Sequence, residues 1–206
     1  FAHMHNIHDV VDCIGDLLDP DGVFVSESHY LRGLIETVQY DTIYHEHLRY
    51  YSVHSLKYLL DAHAFRICHV TRIPTHGGSI RVYASPSKRF VVDETVVEIL
   101  KEEVKAGLTS DQWIEPFRRR VINSKLALHE LIAPIKREGK AIYGVGAPAR
   151  STTLISYVGL DDGILDCVLE VMGSRKIGRY VPGTNIAVMD EAKLFEDQPD
   201  YALLLS

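Results

Sequence analysis

Residues 139–151 read GKAIYGVGAPARS, and this stretch decides the fold of the second half of the chain. Lys140-Ala141-Ile142-Tyr143 is strand-like. Gly144-Val145-Gly146-Ala147-Pro148-Ala149 makes a tight turn into a helix that should run to about Tyr157. Glycines at such a junction let backbone N–H groups approach a phosphate at a helix N-terminus. Glu170 follows about 20 residues on, where an acidic side chain often meets a ribose hydroxyl. The third glycine of the dinucleotide fingerprint is Ala149 here, and Pro148 stiffens the turn. Two readings therefore stand, a phosphate-binding loop and a purely structural tight turn.

Working outward, Leu165 to Val171 is strand-like. Ile186-Ala187-Val188, a short helix around 190–195 and the run Tyr201 to Leu205 then complete a βαβαβ pattern, half of a doubly wound sheet. The run from Tyr201 reads as a buried strand. Domains rarely stop on their last core strand, and the first residue is Phe1, so the sequence reads as a segment of a longer protein. Residues 93–138 are helical in composition, with Trp113, Phe117, Val121, Leu128, Leu131 and Ile135 at three- and four-residue steps or their multiples. Pro116 and Pro134 should start, kink or end these helices. With no Gly/Ser-rich linker in sight, they read as a bridge.

In the first half, Ile7, Val10, Val11, Ile14, Leu17 and Leu18 have helical spacing. Asp19-Pro20-Asp21-Gly22 is a turn, and Val23-Phe24-Val25 a short buried strand. Residues 31–38 predict a short helix. Ser52 is placed to cap a helix whose inner face is Leu56, Leu59 and Leu60. Phe65 to Ile73 and Ile80 to Ala84 read as strands around the turn Pro74-Thr75-His76-Gly77-Gly78. The whole is α/β: the late part of a Rossmann-like sheet over 1–88, a helical bridge over 89–138 and a second Rossmann-like βαβ domain over 139–206.

Composition bounds the function. The 206 residues are 46% apolar and 24% charged, an ordinary globular balance. A net charge of -6 argues against a nucleic-acid partner. No apolar run approaches the ~18 residues of a membrane span, and no signal peptide is visible. Cys13, Cys68 and Cys167 are dispersed and odd in number, which fits a reducing, cytoplasmic setting.

In the stretch DTIYHEHLRYYS at 41–52, residues 41–47 crowd five titratable side chains together: Asp41, Tyr44, His45, Glu46 and His47. A polar loop, a metal site and an acid–base site all fit that composition. The metal reading is weak, because a loop HxH pair lacks further ligands nearby and His3, His5 and His8 look like polar lead-in to a helix. No metal site is expected in this chain. The stretch THGGS at 75–79 reads either as a hairpin turn or as flexible backbone with one imidazole facing a ligand.

Three blocks, QYDTIYHEHLRYYS, PTHGGSIRVYA and YGVGAPARSTTLISYVGL with GRYVPGT, together resemble the S-adenosylmethionine-dependent sugar C-methyltransferases of deoxysugar biosynthesis. The likeness spans essentially all of the sequence. It implies three parts: an N-terminal zinc-binding piece, a central class I methyltransferase domain and a C-terminal Rossmann-like domain. This sequence then begins late in the central domain. The zinc-binding cysteines and the glycine-rich methyl-donor loop are not among its residues and are expected upstream.

The resemblance also implies roles. Family members methylate a carbon next to a ketone on a nucleotide-linked sugar through an enolate, which needs a base and an oxyanion partner. His47 matches the base, Tyr44 the phenol that donates to the enolate oxygen, Glu46 an orienting carboxylate and His3 a further active-site histidine. His45, between them, should point away. The C-terminal unit would hold the nucleotide diphosphate of the sugar, with Gly144, Gly146, Ala149 and Ser151 as cradle and Arg150 as charge partner. His76, Gly77, Gly78, Ser79 and Arg179 are further substrate-facing candidates. The alternatives are a non-catalytic nucleotide-sugar-binding module and an NAD-dependent sugar-nucleotide oxidoreductase. The latter lacks its Tyr-x-x-x-Lys pair.

Overall fold

The computed structural model describes residues 1–205 and divides into two compact units. The first comprises Phe1–Gln39 and His45–Arg118; the second comprises Tyr40–Tyr44 and the chain from Arg119 onward.

The first unit opens with α1 (Ile7–Leu17), which buries Ile7 and Val11 on one face while Leu17, a reading of helical spacing alone would turn inward, is 88% exposed. β1 (Phe24–His29) and α2 (Leu31–Glu36) follow. α3 (Val53–Asp61) starts where Ser52 predicts: Ser52 Oγ accepts from Ser55 N at 3.1 Å, and Ser52 N donates to Ser55 Oγ at 2.9 Å. β2 (Arg66–Ile73) and β3 (Ser79–Ser85) form a hairpin, and α4 (Glu94–Lys105) is capped by Asp93. The three strands form an antiparallel sheet in the order β1-β3-β2, so the last of the three in sequence lies in the middle. Ile80, Val82 and Ala84 point from β3 into a core shared with Val11, Val53, Leu56 and Leu60.

One carboxylate organises this unit from inside. Glu103 on α4 is fully buried and accepts from Tyr30 Oη at 2.9 Å, Val53 N at 2.6 Å and His54 N at 3.0 Å, with His54 Nδ1 at 2.5 Å. It thus satisfies the first backbone donors of α3, where a negative charge suits the helix dipole. Burial, then the Glu103 charge, pushes the Tyr30 phenol well above the ordinary tyrosine range. Tyr30 is thereby locked as a neutral donor next to His29.

The second unit begins within α5 (Ile114–Arg137), where Pro116 sits in the first turn and Pro134 lies inside the helix rather than ending it. β4 (Ile142–Val145), α6 (Ala149–Val158), β5 (Cys167–Glu170), β6 (Val188–Asp190), α7 (Lys193–Asp197) and β7 (Tyr201–Leu204) follow. The sheet is parallel throughout, in the order β6-β5-β4-β7. The chain winds outward from β4 to β6 and then returns to β4's other side, which makes the carboxyl end of β4 a topological switch point. No helix joins β5 to β6; that stretch is held by turns such as Gly178 N to Val188 O at 2.9 Å and Val188 N to Arg179 O at 2.8 Å. One expectation needs correction. The terminal run is an edge strand rather than a buried one: Tyr201 is 41% and Leu204 71% exposed, while Leu203 packs partly and Leu205 fully against the core. Its strand position, outermost in the sheet, overrides its apolar composition.

Candidate active site

In the first unit, residues 45–50 belong to no helix or strand and are fastened to the N-terminal segment instead. Leu48 N donates to Ala2 O at 2.9 Å. Arg49 donates from Nη1 to Met4 O and from Nη2 to His5 O at 3.0 Å. These bonds bring His47 edge-on to His3, with ring centroids 5.0 Å apart and planes at 72°. His29 lies 6.5 Å from His47, also edge to face, and Tyr50 lies 6.1 Å away. Three imidazoles and a phenol therefore meet at one place. His3 and His47 were legible in the sequence; His29 was not singled out. No local signal in the sequence points to it; His29 is the last residue of β1, and the fold brings it to His47.

The neighbours of His47 are arranged differently. His45 is turned to solvent, its side chain 82% exposed, and Glu46 stands 3.9 Å from it and is half exposed. Tyr44 is the last residue of the short segment that packs with the second unit. That segment is bound to α6 by Arg150, whose Nε and Nη2 both donate to Asp41 Oδ2, at 2.7 and 2.5 Å. Thr153 Oγ1 adds a bond to Ile43 O at 3.3 Å, and the rings of Tyr40 and Tyr157 meet at 5.1 Å.

The THGGS turn abuts the end of β1. Tyr30 N donates to Gly78 O at 3.0 Å, and Ser79 pairs with His29 across the β1–β3 ladder. A Cβ on Gly78 would come within 3.2 Å of Gly33 Cα, so close backbone approach demands glycine there. His76 sits at φ 52°, in the left-handed region, and is exposed, whereas Ser79 is buried with Oγ donating to Thr75 O at 3.1 Å.

In the second unit the glycine turn has mixed tasks. Gly144 is a packing glycine: a Cβ there would lie 2.8 Å from Leu205 Cδ1 and 3.0 Å from Val168 Cγ2. Gly146 has φ 87°, and its N–H donates to Leu169 O at 2.9 Å. Ser151 is buried and donates from Oγ to Pro148 O at 2.7 Å. What faces outward is the start of α6, whose N-cap Pro148 makes no side-chain cap, so the N–H groups of Ala149 and Arg150 lack intrahelical acceptors. Lys176 Nζ stands beside them, bonded to Ala147 O at 2.5 Å and to Glu170 Oε2 at 3.2 Å. Arg179 is exposed, its Nε on Arg175 O at 3.1 Å.

No group of three or more His, Cys, Asp or Glu side chains among the described residues is placed to hold a metal ion. No helix among them is long and apolar enough to cross a membrane.

The second unit is a parallel α/β unit with a glycine turn at its switch point, the class that takes ligands at the carboxyl ends of its strands. The sequence profile described as the C-methyltransferase C-terminal domain matches residues 74–206. The chain belongs to that family. It is 33% identical over 207 residues to the C-methyltransferase NovU of Streptomyces niveus, a match that covers 100% of this chain and 49% of the relative. The chain thus spans about half the length of that curated relative.

Such a family implies a methyl donor held by a glycine-rich loop, and Gly15, Gly22 and Gly33 are the first unit's glycines ahead of the THGGS turn. A Cβ on Gly15 would make only ordinary contact with the Phe65 ring, at 3.5 Å, whereas one on Gly22 would lie 2.6 Å from Leu18 Cγ and one on Gly33 3.2 Å from Gly78 Cα. Gly22 and Gly33 are closed in by their own neighbours, and none of the three is in G-x-G spacing, so these residues do not form a glycine-rich donor cradle.

Proposed function

We propose that this chain carries the acid–base loop and the sugar-nucleotide module of an S-adenosylmethionine-dependent C-methyltransferase that acts on a carbon next to a ketone. The observation that carries this reading is the imidazole cluster around His47, pinned to His3 and the end of β1. The proton on a carbon beside a ketone is weakly acidic. Its removal needs a base whose pKa lies near neutral pH and a donor for the oxygen that takes up the charge. An imidazole has an ordinary pKa near ~6.5, which suits it to the first task. In this proposal neutral His47 takes the proton, and the phenol that the family resemblance assigns to the enolate oxygen is Tyr44, three residues earlier in the sequence. His3, edge-on to His47, orients it. Glu46 lies on the solvent side and shapes the field around the loop. S-adenosylmethionine supplies the methyl group, and residues outside this chain hold it.

The second unit takes the nucleotide diphosphate in the same proposal. Supporting this are the switch point at the end of β4, the open N-terminus of α6 and the cation of Lys176. Glu170 is already bound to Lys176 and mostly shielded, which weighs against an NAD ribose at that carboxylate. Arg150 is occupied by Asp41, so its contribution is to order the 40–44 segment beside α6, with phosphate contact secondary. The proposal places the reaction in the cytoplasm, in keeping with three free cysteines. A second reading, a sugar-nucleotide-binding module without catalysis, is favoured by the second unit having its own core, from Ile142 and Ile155 to Leu205.

The deciding experiment is His47→Asn in the active protein that contains this chain. Turnover should fall by about 10² to 10⁴, the usual worth of a general base, with sugar-nucleotide affinity little changed. Undiminished turnover would remove His47 from the role, and nucleotide binding in a protein without methyl transfer would favour the second reading.

A further inference from the structure

We propose that Arg49 is a positioning residue for the His3–His47 pair, an inference that rests on the acid–base role proposed for His47. Arg49 directly follows Leu48 in the loop. Its two terminal nitrogens donate to successive carbonyls, Met4 O and His5 O, the latter at 3.0 Å. The Leu48 N–H adds the third bond, to Ala2 O at 2.9 Å. Together they join residues 48–49 to residues 2–5, with His3 inside the seam and His47 at its edge.

Nothing else of a regular kind holds the two stretches together. Residues 1–6 and 44–50 contribute to no helix or strand, so no ladder of backbone bonds fixes their separation. The 5.0 Å ring spacing of His3 and His47 therefore depends on this seam. Among the described residues Arg49 forms no ion pair with a carboxylate; its fork serves backbone oxygens instead. That geometry is specific to arginine. Two donors held in one plane can meet two neighbouring carbonyls at once, whereas the ammonium of lysine is a single point of attachment. A misplacement of about 1 Å at a catalytic base can cost on the order of 10²-fold in rate, so a clamp two residues away has a large lever.

The test compares Arg49→Ala, Arg49→Lys and His47→Asn in the active protein, reading kcat, KM and the ring-to-ring NMR contact between His3 and His47. Arg49→Ala should lower kcat by about 10- to 100-fold with KM little changed. It should lose the ring contact and recover part of its kcat on addition of guanidinium. Arg49→Lys, which keeps the charge and guards against a variant that fails to fold, should not restore the contact. Retention of the contact in both variants, or full kcat in Arg49→Ala, overturns the clamp. Full restoration by lysine overturns it too, since charge alone would then suffice. If His47→Asn is fully active, the acid–base reading falls by itself, and the ring contact still decides whether Arg49 holds the pair.

Discussion

At the scale of single residues, the buried groups of the second unit make the clearest physical case. Tyr143 donates to Asp197 Oδ2 at 2.5 Å, and that bond, followed by burial, pushes its phenol up to about 12. Burial pushes the Cys167 thiol up to about 11. Both folded-state values lie above the ordinary ones, so the folded state favours the protonated forms. Their contribution to stability is complete below the ordinary values and is lost as pH rises through the raised ones. Urea midpoints should therefore hold from neutral pH to about 9 and fall between about 9 and 12. Tyr143→Phe should flatten the upper part of that fall; an unchanged slope in the variant would show that other groups govern it. At neutral pH Cys13, which is exposed, should alkylate quickly, while Cys68 and Cys167 react only on unfolding.

At the scale of elements, the turn between β4 and α6 separates two uses of glycine that look alike in sequence. Gly144 exists because Leu205 and Val168 fill the space where a Cβ would go. Gly144→Ala should destabilise the second unit by about 1–3 kcal/mol, the usual cost of overpacking, with or without ligand. Gly146 exists because its backbone has φ 87°. Gly146→Val strains that turn and should weaken sugar-nucleotide binding more than Gly144→Ala does, measured by calorimetry beside thermal melts. Equal losses of affinity at both positions would mean that the turn only supports packing.

At the scale of the whole molecule, each unit has its own core and its own chemistry. The first gathers His3, His29, His47 and Tyr50; the second offers an open helix N-terminus with Lys176. Calorimetry on this chain should show saturable binding of thymidine or uridine diphosphate and none of S-adenosylmethionine. The expectation follows from where glycines are free. The start of α6 offers backbone donors without intrahelical acceptors, whereas Gly22 and Gly33 are closed in by Leu18 and Gly78 and Gly15 stands alone in the sequence. Saturable donor binding would show that the cradle is built from these residues after all.

The sequence by itself determined the local elements and their order. Apolar periodicity at Ile7, Val11 and Ile14, the cap at Ser52, the alternation from Ile80 to Ala84 and the glycine turn at 144–146 are short-range signals, set by neighbours within a turn or two. It also determined that an imidazole, a phenol and a carboxylate lie within four residues of one another. Only the tertiary structure decided which of them meet. Strand order made Tyr201–Leu204 an edge and put His29 beside His47. Helix packing gave Glu103 to the start of α3 and Asp41 to Arg150. A loop without regular structure is bonded through Arg49 to Met4 O and His5 O. Each of these pairs brings together residues far apart in the chain. Local propensity carries no information about such partners, because their stabilisation appears only once the intervening chain has been ordered.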